Sequence, residues 1–171
     1  MSLYTDDYRS GERTFQLLTQ AAGRAGRGDR PGEVVIQTYD PEHYAIEASA
    51  AQDYEAFYEK EIRYRSLMGY PPVENLMAVL AACEDEALLE KACKYLKEYI
   101  LRIKGQAQLN VIGPASPGVD KIKDIYRRVI YVKAPEYRTL VVLKDRMEQY
   151  IEINSGFQKM RIQFDFNPMN L

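Results

Sequence analysis

The segment Gln20-Ala21-Ala22-Gly23-Arg24-Ala25-Gly26-Arg27-Gly28 holds the residue types best suited to chemistry. Arg24 and Arg27 stand three apart, which makes them neighbours on a helix surface, and the glycines around them let a backbone come close to a ligand. Guanidinium groups so placed can clamp phosphate oxygens. On a transferring γ-phosphoryl group such a cation is an arginine finger, an effect of roughly 10³ to 10⁵ in rate for GTPases. The plainer alternative is a helix closed by glycine with two solvated arginines.

A second cluster runs from Asp120 to Lys133, where Lys121, Lys123, Arg127, Arg128 and Lys133 interleave with Tyr126 and Tyr131. Cations neutralise phosphates while a tyrosine ring offers a stacking face to an unpaired base, which together make a sequence-tolerant surface for single strands. Asp120 and Asp124 dilute the patch, and the alternative is a strand with an ordinary charged outer face. The single His43 follows Pro-Glu at a helix start and reads as a cap or hinge contact rather than a base. Cys83 and Cys93 sit among apolar residues, lack the close Cys/His partners of a zinc site, and read as reduced core thiols. No Ser/His/Asp, Cys/His or paired-carboxylate constellation stands out, which disfavours a free-standing enzyme.

Those residues need elements to position them. A chain of 171 residues with 46% hydrophobic and 28% charged residues can bury one sizeable core. Its net charge of -2 does not announce a nucleic-acid binder, so that role must rest on local patches. No stretch is apolar enough to span a membrane and MSLYTDDYRSGER has no export signal, so a cytoplasmic location is expected. Met1-Ser2-Leu3 reads as a vector-derived start.

Gly11 to Ala25 places Phe15, Leu18, Ala22 and Ala25 at helical spacing. A turn at Asp29 to Gly32 then leads to a short β-branched strand at Glu33 to Thr38. One helix and one strand cannot bury both strand faces, so residues 1–40 read as the torn end of a larger α/β domain. From His43 to Met68 the pattern is helical, with Asp53 as a cap and Tyr54, Phe57, Tyr58, Ile62 and Arg65 near one stripe. The Tyr54, Phe57, Tyr58 and Tyr64 cluster is expected to pack against the end domain.

The remainder alternates: strand Asn75 to Cys83, helix Asp85 to Ile103, strand Leu109 to Gly113, strand Arg127 to Lys133, a helix opened by Pro135, and strand Arg161 to Phe166. This order predicts an α+β fold, a C-terminal split-βαβ (ferredoxin-like) domain with four antiparallel strands and two helices on one face.

Set between an amphipathic helix and a short strand, the string QxxGRxGRG resembles motif six of superfamily-two helicases. YRSGERTFQLLTQAAGRAGRGDRPGEVVIQTYDPEHYAI, followed by DYEAFYEKEIRYRSLMGYPP, resembles the primosomal protein N-prime (PriA) family of replication-restart DNA helicases. The likeness covers nearly the whole chain and extends to Val111-Ile112-Gly113-Pro114, to Lys121-Ile122-Lys123 with Tyr126-Arg127, and to Phe164-Asp165-Phe166-Asn167-Pro168.

The resemblance implies that residues 1–40 end the second RecA-like helicase lobe, that 41–72 form a helical connector, and that 73–171 form the end domain. It implies Gln20, Gly23, Arg24 and Arg27 at the nucleotide cleft, with Arg27 the finger and Arg24 its phosphate-binding companion. Lys121, Lys123, Tyr126, Arg127 and Arg128 become the nucleic-acid-binding candidates. The intact protein would use ATP and Mg, and hold Zn, through residues absent here: there is no G-x-x-x-x-G-K-[ST] loop, no acidic metal-holding box and no zinc cysteine pairs. Alone the chain is expected to be inactive and to bind no cofactor. The activity implied for the whole is 3′-to-5′ DNA unwinding that restarts stalled forks, with branched or single-stranded DNA, single-strand-binding protein and other primosome proteins as partners and no membrane. A non-catalytic nucleic-acid- or protein-binding adaptor is the alternative, for which the torn lobe would have no use.

Overall fold

The computed structural model describes residues 3, 7–25 and 33–169. The chain forms two compact units, Met1–Met68 and Gly69–Leu171.

The first unit is helical: α1 (Ser10–Ala25), α2 (Tyr44–Ala51) and α3 (Tyr54–Met68). His43 caps α2, its Nδ1 accepting the Ala45 N–H at 3.1 Å. The helical pattern from His43 to Met68 is two helices rather than one, because Gln52 takes left-handed backbone (φ 54°). Asp53 starts α3 anew by accepting the Ala56 N–H at 3.0 Å, which satisfies one of the free donors of the first turn. The apolar centre is small, with Phe15 stacked on Phe57 at 4.3 Å between centroids beside Ala45 and Ala48.

One expectation fails in this unit. Residues 33–38 form no strand, and Val35 is 85% exposed. A β-branched run becomes a strand only where a neighbouring edge takes its hydrogen bonds, and no described strand lies beside this one. Along α3, Tyr54 and Tyr58 stack at 6.1 Å between centroids and are exposed, as is Tyr64, and the buried positions are Phe57, Glu61 and Arg65. That i, i+4, i+8 row is one face of a helix, and two of its three members are charged.

The second unit is a five-stranded antiparallel sheet with two helices. Its elements are β1 (Asn75–Cys83), α4 (Glu86–Ile103), β2 (Asn110–Ala115), β3 (Lys121–Ile122), β4 (Ile125–Ala134), α5 (Tyr137–Ile153) and β5 (Arg161–Phe166). The sheet order is β2-β4-β1-β5, with β3 paired to β4 as a hairpin. The nearly all-apolar β1 is central, as its composition predicts.

Parity along the strands sorts the two faces. Met77, Val79 and Ala81 of β1 and Ile130 and Val132 of β4 share a core with Leu89, Cys93, Leu96 and Ile100 of α4 and Leu140, Leu143 and Met147 of α5. Each such leucine or isoleucine removed from water stabilises the unit by about 2 kcal/mol before chain entropy is counted. Asp85 caps α4 through the Leu88 N–H at 3.0 Å.

Two details explain sequence features that composition leaves unexplained. β2 runs past Gly113 to Ala115 through a register shift, and Gly113 has φ +102°, where an added Cβ would lie 2.7 Å from the Val129 carbonyl. Only glycine fits. At the other edge, Asn167 closes the sheet by donating its N–H to the Leu76 carbonyl at 2.7 Å and accepting the Leu76 N–H on its side-chain oxygen at 2.8 Å.

Candidate functional site

Two places carry the residues singled out above. The first is the C-terminal end of α1. Gln20 and Arg24 are both exposed and lie four residues apart, one turn above the other on the same face. Gly23 has nothing within 4 Å of the position its Cβ would take. This end of the helix therefore presents a cation, an amide and a stretch of bare backbone to solvent. Arg27, with its flanking Gly26 and Gly28, lies outside the described residues.

The base of α1 is anchored by buried charge. Arg65 donates Nε to Glu61 Oε1 at 2.7 Å and Nη2 to Glu12 Oε2 at 2.7 Å, and the Tyr44 hydroxyl donates to Glu61 Oε2 at 2.6 Å. Burial works against the Arg65 charge, and its hydrogen bonds to Glu12 and Glu61 outweigh that, so its pKa is raised. Burial, then the bond to Glu61, raises the Tyr44 phenol as well. Gly11 makes room for this network: a Cβ there would meet the Tyr44 hydroxyl at 2.8 Å.

The second place is the β3–β4 hairpin. Its two-residue turn is Lys123 (φ 48°) and Asp124 (φ 62°), a left-handed pair that usually calls for Asn-Gly. Two contacts hold it: Lys121 Nζ lies 2.9 Å from Asp124 Oδ1, and the Arg127 N–H donates to the Asp120 carbonyl at 2.7 Å. Lys121 also lies 4.7 Å from the centre of the Tyr126 ring, across the strand pair. Its ammonium is favoured, first by the bond to Asp124 and then by Tyr126, which raises its pKa.

Of the five residues named for this patch, four surround the hairpin: Lys121, Lys123, Tyr126 and Arg127. Arg128 faces away from Arg127 and toward α4, since neighbours on a strand face opposite sides. It is 9% exposed and donates Nε to Glu90 at 2.5 Å and Nη2 to Glu86 at 2.8 Å, gripping the first turns of α4. The bond to Glu90, opposed by burial and aided by Glu86, raises its pKa. Lys133 is buried like Arg128, its ammonium 3.8 Å from the centre of the Tyr70 ring, and burial lowers its pKa.

Residues 66–169 match the family described as the primosomal protein N C-terminal domain, a span that takes in the sheet, both its helices and the hairpin. The chain belongs to that family. Relatives carrying the name replication restart protein PriA align along 78% to 98% of it. The protein from Bacillus subtilis is 35% identical over 98% of this chain and 21% of its own length. The one from Synechocystis is 35% identical over 96% and 19%, and that from Thermotoga maritima 37% identical over 78% and 17%. The chain thus spans about a fifth of the length of the PriA relatives it matches.

Among the described residues no group of three or more His, Cys, Asp or Glu could hold a metal ion, and no helix is long and apolar enough to cross a membrane. Cys83 and Cys93 are buried free thiols, and burial pushes Cys93 up to about 11. The sequence places Arg65 near the stripe of its helix but does not reveal the Glu12–Arg65–Glu61–Tyr44 network, because Glu12 and Glu61 in a helical pattern read as its wet side. Sequence reasoning also missed Ile122 and Ile125, which pair across the hairpin and stay exposed. Their signal was present in the sequence as Ile-Lys-Asp-Ile, apolar residues bracketing two turn positions.

Proposed function

We propose that this chain is the C-terminal part of an ATP-dependent 3′-to-5′ DNA helicase that restarts stalled replication forks. The observation that carries the reading is the family match together with an exposed Gln20–Gly23–Arg24 end on α1. In it, residues 1–40 finish the second helicase lobe, and the second unit is a split-βαβ domain that binds branched or single-stranded DNA and docks single-strand-binding protein. The antiparallel order β2-β4-β1-β5 with two intervening helices supports the split-βαβ description.

ATP with Mg, held mainly by parts of the intact protein outside this chain, would supply the phosphoryl chemistry. The residues present fit a phosphate neighbour: Arg24 is exposed at the helix end, and the backbone at Gly23 is open to close approach. Arg24 would orient a phosphate oxygen and Arg27 would neutralise charge developing on the γ-phosphoryl group. The zinc of the intact enzyme belongs to cysteines outside this chain.

DNA-stimulated ATP hydrolysis by the intact protein tests this reading. Arg27→Ala should lower turnover by at least ~10²-fold without loss of fold, and a near-parental rate would remove the finger assignment.

A further inference from the structure

At the hairpin end of the sheet, on the face away from the helices, Arg127, Ala82 and Arg161 form one row: Ala82 pairs with Arg127 of β4 on one side and with Arg161 of β5 on the other. Adjacent strands lie about 4.8 Å apart, so the two arginine-bearing strands are roughly 10 Å apart with only a methyl group between them. Beside this row, at the end of the sheet where β1 turns into α4, a hollow of about 580 Å³ is lined by Ala82, Ile125, Lys159 and Arg161 and, toward α4, by Cys83 and Leu88. Ile125 stands two residues before Arg127 on the same face and pairs with Ile122, and these two isoleucines are 39% and 46% exposed.

Around the row and the hollow, Arg127, Lys159 and Arg161 stand against the carboxylates of Glu84 and Asp85. Neither Arg161 nor Lys159 has an ion-pair partner among the described residues. Arg127 spends one guanidinium N–H on the Val119 carbonyl at 3.4 Å and keeps the rest. The hollow also has Glu84 and Asp85 on its α4 side, and the Asp85 carboxylate is taken up in capping α4. A small floor, an apolar wall and cations on either side match an unstacked base with its flanking phosphates.

We propose that this hollow is a nucleobase site: one base of a single strand lies over Ala82 against Ile125 and Ile122, while Arg127 and Arg161 take the adjoining phosphates. The proposal rests on the DNA-binding reading and adds Ala82, Ile122, Ile125, Lys159 and Arg161 to it. It makes the open sheet face at this end, rather than the Lys121–Tyr126 side of the hairpin, the place where a base is held.

Fluorescence anisotropy on this chain, with a labelled oligothymidylate and an abasic strand of the same length across a salt series, tests it. The parent should prefer the base-bearing strand by about tenfold, within what one stacked base supplies. Ala82→Leu, which fills the floor, and Ile125→Ser, which acts on an exposed residue and spares the core, should each erase that preference and leave the salt slope unchanged. Arg161→Ala should flatten the slope by about 0.7. Equal binding of the two strands by the parent, or a preference that survives in a folded Ile125→Ser variant, overturns the hollow while DNA binding stands. Capture of an oligoglutamate peptide in place of both strands overturns it in favour of an acidic protein partner. Absence of any salt-sensitive DNA binding removes the underlying reading itself.

Discussion

The two units bury different things. Among the described residues of Met1–Met68 the apolar cluster is Phe15, Ala45, Ala48 and Phe57, and beside it lie Glu61, Arg65 and the Tyr44 hydroxyl. In Gly69–Leu171 the centre is a layer of aliphatic side chains between a sheet and two helices, and its buried charges, Arg128 and Lys133, sit at its margins. A buried aliphatic layer tolerates many substitutions of matched volume, whereas a buried ion network tolerates few, because each member left without its partner keeps its full desolvation cost. The contrast teaches that the α1 end of the molecule is held by direction-specific contacts and the sheet by area.

The strongest way to sharpen that contrast is a cavity in the second unit. Leu96 is fully buried between α4 and the sheet, and Leu96→Ala should cost about 4 kcal/mol in urea unfolding, with weakened amide protection through β1 and β4. A loss below about 1 kcal/mol would mean the layer collapses freely and area is not what holds it.

Next in size is Arg65→Ala, which should cost about 2 to 3 kcal/mol, discounted because Glu12 is partly wet. The double variant Glu61→Leu with Arg65→Met should recover most of the loss, since removing both charges removes the desolvation cost as well. If the double variant is as unstable as the single one, the network holds α1 by its geometry more than by avoiding a stranded charge. Amide exchange along α1 distinguishes the two outcomes.

The smallest effect is silent at neutral pH. Burial raises the Cys93 thiol from near 9 to about 11, so the stability it contributes is present below pH 9 and is lost as pH rises from 9 toward 11, where the unfolded chain releases the proton first. Thermal midpoints at pH 8 and pH 10.5 should therefore differ more in the parent than in Cys93→Ala. Equal differences in both would place Cys93 in a wetter setting than the core.

How far the sequence carries these distinctions depends on which signal each element sends. β1 is legible because nine successive residues, nearly all apolar, leave no wet face, and Asp85 announces α4 by the capping chemistry it performs. β2 reads short, since Gly113-Pro114 looks like a terminator, yet the bulge there lets the strand continue. Residues 33–38 read as a strand because composition reports a strand's residues but not whether a neighbouring edge exists. At the candidate sites, Arg127 and Arg128 look alike in sequence, and only strand parity separates an outward cation from one gripping Glu86 and Glu90. Arg161 was invisible as their companion because β5 joins β1 from more than seventy residues away.

The clasp between Asn167 and Leu76 has a consequence for how such a unit travels between proteins. Those two hydrogen bonds join the first strand of the second unit to the residue just after its last one, so the start of β1 and the end of β5 are held side by side at a single point on its rim. A module whose first and last strands begin and end side by side can be grafted onto a host loop, or removed from one, with little stretching of the host backbone. Asn167 acts as the buckle of that cassette, and transplanting residues 69–169 as a block, buckle included, is the operation for which this geometry is suited.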